Sequence, residues 1–188
     1  MTAAVVIGAS AGAVEALSVI LPALPAGYPV PVAVVVHLPP DRPSIMAELF
    51  AARCRVAVRE AEDKEPLVPG TVYFAPPDYH LLVEAAGHLS LSSEEPVRFS
   101  RPSIDVLFES AADAVGPGLV AVVLTGANDD GAAGLRAVCA AGGAAVVQDP
   151  LGAQAGAMPA AALAACPGAT VLSLPQIAAY LTSLGEAS

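Results

Sequence analysis

Tryptophan is absent from these 188 residues, lysine occurs once, at Lys64, and only 14% of the chain is charged. Eight lysines and arginines stand against 18 aspartates and glutamates, a formal net charge of −10. Phosphate recognition needs clustered cations, so this balance argues against nucleic acid and against anionic membrane surfaces as partners. The three cysteines, Cys54, Cys139 and Cys166, are far apart, lack metal-ligand spacing and do not make an even disulfide set. That usage predicts buried, reduced thiols in a cytosolic protein and no metal site. No basic residue precedes the first apolar stretch, which removes the signature of a secretory signal. The apolar region 16–36 is interrupted by Pro22, Pro25, Pro29 and Pro31, so it does not read as a spanning helix, and no direct membrane insertion is expected.

What remains is strongly apolar, 55% of the chain, and a chain of this length suits one domain with a substantial core. The runs Ala3-Ala4-Val5-Val6-Ile7, Val32-Ala33-Val34-Val35-Val36 and Leu119-Val120-Ala121-Val122-Val123-Leu124 are too continuous for half-exposed strands. They have the pattern of parallel strands covered on both faces. Helices are predicted to begin near Ala11, Ser44, Ser103 and Gly131, with a last one from Pro175. In the helix after Ser103, the residues Ile104, Leu107 and Phe108 share one face at i, i+3, i+4 and predict a core contact. The expected class is α/β: a three-layer, doubly wound, mostly parallel sheet. One stretch departs from the alternation. Thr71 to Phe74, His80 to Glu84 and His88 to Leu91 read as short strands, the last two joined at Ala86-Gly87, which predicts a short antiparallel hairpin flap there.

Chemistry concentrates after the first strand, where Gly8-Ala9-Ser10-Ala11-Gly12 spells G-x-S-x-G at a strand-to-helix turn. Such a turn projects a serine hydroxyl and frees the first N–H groups of the helix. Serine is also a favoured helix N-cap and glycines recur at such turns, so the pentapeptide alone leaves both readings open. His37 ends the second apolar run and the pair Asp129-Asp130 follows the third. Carboxyl ends of strands in an open parallel sheet share one edge, so a serine, a histidine and an aspartate distant in sequence can meet there. In that arrangement His37 takes the proton of Ser10, Asp130 orients the imidazole, and the N–H groups of Ala11 and Gly12 face the oxyanion. The order Ser, His, Asp differs from the Ser, Asp, His order of the α/β-hydrolases. No cofactor is called for by this chemistry.

Further segments join these: His37-Leu38-Pro39-Pro40, Tyr73-Phe74-Ala75-Pro76-Pro77-Asp78-Tyr79-His80, Arg101-Pro102-Ser103-Ile104-Asp105-Val106-Leu107-Phe108, the run Leu124 to Gly134, Gln148-Asp149-Pro150 and Ala157-Met158-Pro159. As a set, spread over nearly the whole chain, they resemble the chemotaxis methylesterase family, the CheB-type catalytic domain. The resemblance implies hydrolysis of glutamate γ-methyl esters, and in many members deamidation of glutamines, on the cytoplasmic helical bundle of bacterial chemoreceptors. Its serine, histidine and aspartate fall on Ser10, His37 and Asp130. Methylated chemoreceptor helices would be the partner, the location cytoplasmic, and residues 1–188 a single catalytic domain without the receiver domain that many members carry. Two departures stand out: Ala11 where threonine is frequent, and Ala127-Asn128 where Met-Gly is frequent.

Other readings are weaker. A dinucleotide-binding oxidoreductase would need G-x-G-x-x-G and an acid at the end of the second strand; the first is absent and His37 occupies the second place. A binding module that kept the fold without turnover is opposed by the presence of Ser10, His37 and Asp130 together. Asp129 reads as surface charge or a helix-terminal partner, His80 and His88 as structural or surface residues, and Ser103 as an N-cap. Asp105 reads as a first-turn acid favoured by its own helix dipole, and Met158-Pro159 as a site edge or a helix start.

Overall fold

The computed structural model describes residues 1, 3–39 and 41–186; Pro40, from the His37 motif, lies outside the described residues. Among the described residues, seven strands form one parallel sheet: β1 (Ala4–Ala9), β2 (Val32–Val36), β3 (Ala57–Glu60), β4 (Thr71–Phe74), β7 (Leu119–Val123), β8 (Ala144–Gln148) and β9 (Thr170–Leu172). Their order is β3-β4-β2-β1-β7-β8-β9. The remaining two, β5 (His80–Glu84) and β6 (His88–Ser92), pair antiparallel as the expected hairpin. The helices are α1 (Ala13–Ile20), α2 (Met46–Ala51), α3 (Ile104–Val115), α4 (Ala132–Ala140), α5 (Ala157–Ala165) and α6 (Leu174–Leu184).

Side chains alternate across the pleat, and the two faces of β1 therefore feed two separate cores. Val5, Ile7 and Ala9 pack with Leu17 and Ile20 of α1, Phe50 of α2, and Ile177 and Leu181 of α6. Ala4 and Val6 face the other core, with Ile104, Leu107 and Phe108 of α3, Leu135 and Val138 of α4, Met158 of α5, and Leu81 and Leu89 of the hairpin. Every residue of β1, β2, β4 and β7 is buried, which is why, Thr71 apart, their sequences run without polar alternation. Each fully buried Val, Ile or Phe in such a position stabilises the fold by about 1.5–3 kcal/mol.

Two expectations are corrected. Thr71–Phe74 is not part of the flap; it is β4, held between β3 and β2 in the parallel sheet. Four residues with turn signals on both sides read alike in a hairpin and in an interior strand, and only burial on both faces separates them. Cys139 and Cys166 are not reduced thiols but a disulfide, with Cα atoms 6.9 Å apart; Cys54 is a free, half-buried thiol, as expected. The bond joins the last turn of α4 to the C-terminal end of α5, and the packing of these two helices against one another is invisible in the spacing of the cysteines.

Candidate active site

β1 lies between β2 and β7, so the segments leaving all three strands meet at one edge of the sheet. The register pairs Ala9 with Val36 and Gly8 with Val123. The ladder continues one step further: the His37 N–H donates to the Ala9 carbonyl at 3.2 Å, and the Ser10 N–H to the Thr125 carbonyl at 2.9 Å. This backbone lattice sets Ser10 beside His37 before any side-chain contact is made. His37 Nδ1 then lies 3.1 Å from Ser10 Oγ, and His37 Nε2 lies 2.7 Å from Asp130 Oδ2. The buried carboxylate fixes the ring proton on Nε2 and leaves the Nδ1 lone pair for the serine hydroxyl. In the serine-protease arrangement Nε2 faces the nucleophile. Here the ring is presented the other way round.

Asp130 is 1% exposed and fully engaged. Besides His37, its Oδ2 accepts the Ile104 N–H at 2.7 Å, and its Oδ1 accepts Ser103 Oγ–H and the Asp105 N–H, each at 2.9 Å. A carboxylate from the loop before α4 thus caps α3. Burial by itself would raise the pKa of Asp130; the hydrogen bonds from His37 and from the N–H groups of Asp105 and Ile104 outweigh it and hold the carboxyl below its ordinary value. Ser103 occupies the N-cap position of α3 but spends its hydroxyl on Asp130, so the expected side-chain cap is replaced by one from outside the helix.

The capping is reciprocal. Asp105 does not merely sit in the dipole of its own helix: its Oδ1 accepts the N–H groups of Gly131 at 2.9 Å and Gly134 at 2.7 Å, capping α4. Burial pushes its pKa up, against the lowering effect of the Gly134 N–H, and the nearby Asp130 adds to the rise. Because both bonds end on one oxygen, Asp105→Asn retains them and removes a buried charge. It is expected to unfold within about 1 kcal/mol of the parent at neutral pH, whereas Asp105→Ala loses about 2–3 kcal/mol through two unpaired buried N–H groups. The contribution of this carboxyl is full at low pH and declines as pH rises through its raised folded-state pKa; the Asn variant lacks that decline. Urea unfolding across pH measures both differences.

Two glycines of the pentapeptide have steric reasons. A Cβ on Gly8 would stand 2.3 Å from Ile104 Cγ2, so only glycine lets the start of α3, with its N–H groups for Asp130, come this close to β1. Gly12 has φ +84°, and a Cβ there would meet the Gln154 side chain at 2.8 Å. Among the described residues the N–H groups of Ala11 and Gly12 have no hydrogen-bond partner. The line of three side chains opens on a cleft of about 370 Å³, lined by Leu38, Pro96, Phe99, Arg101 and Asn128 together with Ser10 and His37. Arg101 braces its wall, with Nε and an NH2 nitrogen donating to Asp78 Oδ1 at 3.0 and 2.6 Å and the other nitrogen to the carbonyls of Ser93 and Glu94.

The remaining sequence candidates lie outside this line. Asp129 is exposed and pairs with Arg98. His80 is buried, accepting the Ser103 N–H at Nδ1 and donating from Nε2 to the Glu95 carbonyl, a structural role. His88 sits on the hairpin with its ring against the Ala86 carbonyl. Met158 is buried in the first turn of α5, packed over Gly126. Sequence reasoning gave no task to Arg101, although it stood in a quoted motif, nor a positive one to Asn128. Among the described residues no cluster of His, Cys, Asp and Glu could hold a metal ion, and no helix is long and apolar enough to cross a membrane.

The sequence profile of the family described as CheB methylesterase matches residues 5–181. The chain belongs to that family. A protein of Leptospira interrogans named putative protein-glutamate methylesterase/protein-glutamine glutaminase is 45% identical over 183 residues, covering 97% of this chain and 95% of its own length. A protein-glutamate methylesterase/protein-glutamine glutaminase of Anaeromyxobacter dehalogenans is 43% identical over 176 residues, but the match spans only 50% of that protein. Family membership extends to the fold: the crystal structure of the Thermotoga maritima CheB methylesterase catalytic domain superposes with a TM-score of 0.92 at 33% identity, covering 98% of this chain and 99% of that one.

Proposed function

We propose that residues 1–188 form a serine hydrolase domain that removes methyl groups from glutamate γ-methyl esters of bacterial chemoreceptors and deamidates receptor glutamines. The observation that carries this reading is the unbroken line from Ser10 Oγ through His37 to the buried Asp130, open to a cleft. Ser10 attacks the γ-carbonyl carbon while its proton passes to His37 Nδ1, and Asp130 holds the ring and stabilises the imidazolium. The N–H groups of Ala11 and Gly12, without a hydrogen-bond partner among the described residues, receive the oxyanion. Asp129, engaged with Arg98, takes no part. The names of the relatives support glutamate esters and glutamines of proteins as the substrate class, and a cytoplasmic location suits an enzyme that acts on the cytoplasmic helices of receptors. Incubating the protein with membranes bearing methylated receptor should release methanol; absence of release would overturn the reading.

Exposed apolar side chains on the loops of this edge, Phe99 beside the cleft and Leu151 after β8, suit a receptor helix laid across the site by the groove mode. With a net charge of −10 the chain gains nothing from long-range attraction to a helix that is itself acidic. Demethylation of receptor-bearing membranes is therefore expected to hold steady or rise as salt screens the repulsion. A steep fall with added salt would point instead to a basic docking patch.

A further inference from the structure

Asn128 stands two residues before Asp130 in the loop between β7 and α4, exposed at the cleft. Its Oδ1 accepts the Asp130 N–H at 3.1 Å, which commits the oxygen of the carboxamide to the backbone and turns its NH2 group outward. That NH2 lies 3.4 Å from His37 Nδ1, the same ring nitrogen that faces Ser10 Oγ. A neutral imidazole with its proton on Nε2 has one lone pair at Nδ1, and the serine hydroxyl claims it. The Asn128 donor is thus held beside the point where a leaving group must stand to take the proton back from Nδ1.

We infer that Asn128 is a specificity-determining residue that favours ester over amide substrates at this site, an inference that rests on the reading of Ser10 as nucleophile. As Ser10 Oγ bonds to the γ-carbonyl carbon, its proton moves to Nδ1. On collapse the C–O bond to the methoxy group breaks, the Nδ1 proton passes to that oxygen, methanol departs, and the acyl-serine remains. The departing methoxy oxygen has two lone pairs. One receives the proton and the other accepts an N–H from Asn128. When glutamine is the substrate, the C–N bond breaks and ammonia departs; its nitrogen has a single lone pair, which the proton occupies, and its own hydrogens then oppose the Asn128 donor. Only the ester transition state gains the hydrogen bond, and only the amide one suffers two donors face to face. Water then hydrolyses the same acyl-serine in both cases, so the discrimination resides in acylation and is read in kcat/KM.

The test uses two otherwise identical peptides, one carrying a glutamate γ-methyl ester and the other a glutamine at a single position, with methanol and ammonia release followed for the whole chain. Asn128→Asp keeps an acceptor for the Asp130 N–H and replaces the donor at Nδ1 by an acceptor; the ester-to-amide ratio of kcat/KM is expected to fall by about tenfold or more. Asn128→Gly removes the donor without an acceptor in its place, and the ratio should fall by about three- to tenfold. Lost stability or a changed charge near His37 lowers both rates together and leaves the ratio where it was. A ratio within about twofold of the parent in both variants overturns the inference, as does complete loss of ester turnover in both, since a residue that only discriminates is not required for the ester. Persistence of both activities in Ser10→Ala would instead overturn the nucleophile, a separate result.

Discussion

Ser10→Ala is expected to lower ester hydrolysis by about four to six orders of magnitude while leaving the stability of the protein within about 1 kcal/mol of the parent. The separation follows from the surroundings of the side chain: the only side-chain partner of Ser10 Oγ among the described residues is His37, and its backbone N–H bond to Thr125 survives the change. His37→Ala should reduce turnover to a similar degree, and the double variant should be no worse than either single one, because the two groups form one proton-transferring unit. Initial rates of methanol release together with urea unfolding curves test both halves of the expectation. Additive losses, each of only tenfold or so, would mean that the two side chains do not act as a unit. The residual activity in every variant measures what positioning and the N–H groups at Ala11 and Gly12 contribute alone.

The second large effect belongs to Asp130, where activity and stability are joined. Asp130→Asn puts an amide NH2 in place of one oxygen, and each placement meets a donor. At the Oδ2 position it opposes the Ile104 N–H and turns His37 into the wrong tautomer; at the Oδ1 position it opposes the Asp105 N–H. Turnover is expected to fall by about three to four orders of magnitude and stability by about 1–3 kcal/mol. Asp130→Ala strands the donors of Ser103, Ile104 and Asp105 in a buried site and should lose about 3–5 kcal/mol. Because the folded-state pKa of Asp130 is lowered, its contribution is present above the ordinary aspartate value of about 3.9 and disappears as pH falls through the lower folded-state value. The Asn variant should show no such loss in that acid window. Asp129→Asn, which disturbs only an exposed pair with Arg98, is the control, and equal loss there with Asp130→Asn still active would reassign the acid.

Part of the site is legible in the chain because it depends on neighbouring residues alone. The runs Val5 to Ile7, Val32 to Val36 and Leu119 to Leu124 announce buried parallel strands because a sheet covered on both faces admits no polar alternation. A serine, a histidine and an aspartate just beyond such runs then have one edge at which to meet. The motif glycines were equally legible, since backbone must pass closely or turn sharply wherever a strand runs straight into a helix. The hairpin at Ala86-Gly87 followed from local turn chemistry.

Tertiary structure decided what depends on partners remote in the chain. Asp130 and Ile104 are 26 residues apart, and the swapped caps, Asp130 on α3 and Asp105 on α4, exist because those two helices start side by side at the sheet edge. Local pattern assigns each acid to its own helix. Pairing between segments that are not neighbours in the chain likewise hid the bond between Cys139 and Cys166, which needs the ends of α4 and α5 to lie together, and hid the insertion of β4 between β3 and β2. The direction in which the His37 ring is presented, and the outward turn of the Asn128 amide beside it, rest on which hydrogen bonds the folded backbone leaves to be made. Hydrophobic period is a property of neighbouring residues and survives in the sequence; hydrogen-bond partnership across helices is a property of their packing and arises only in the fold.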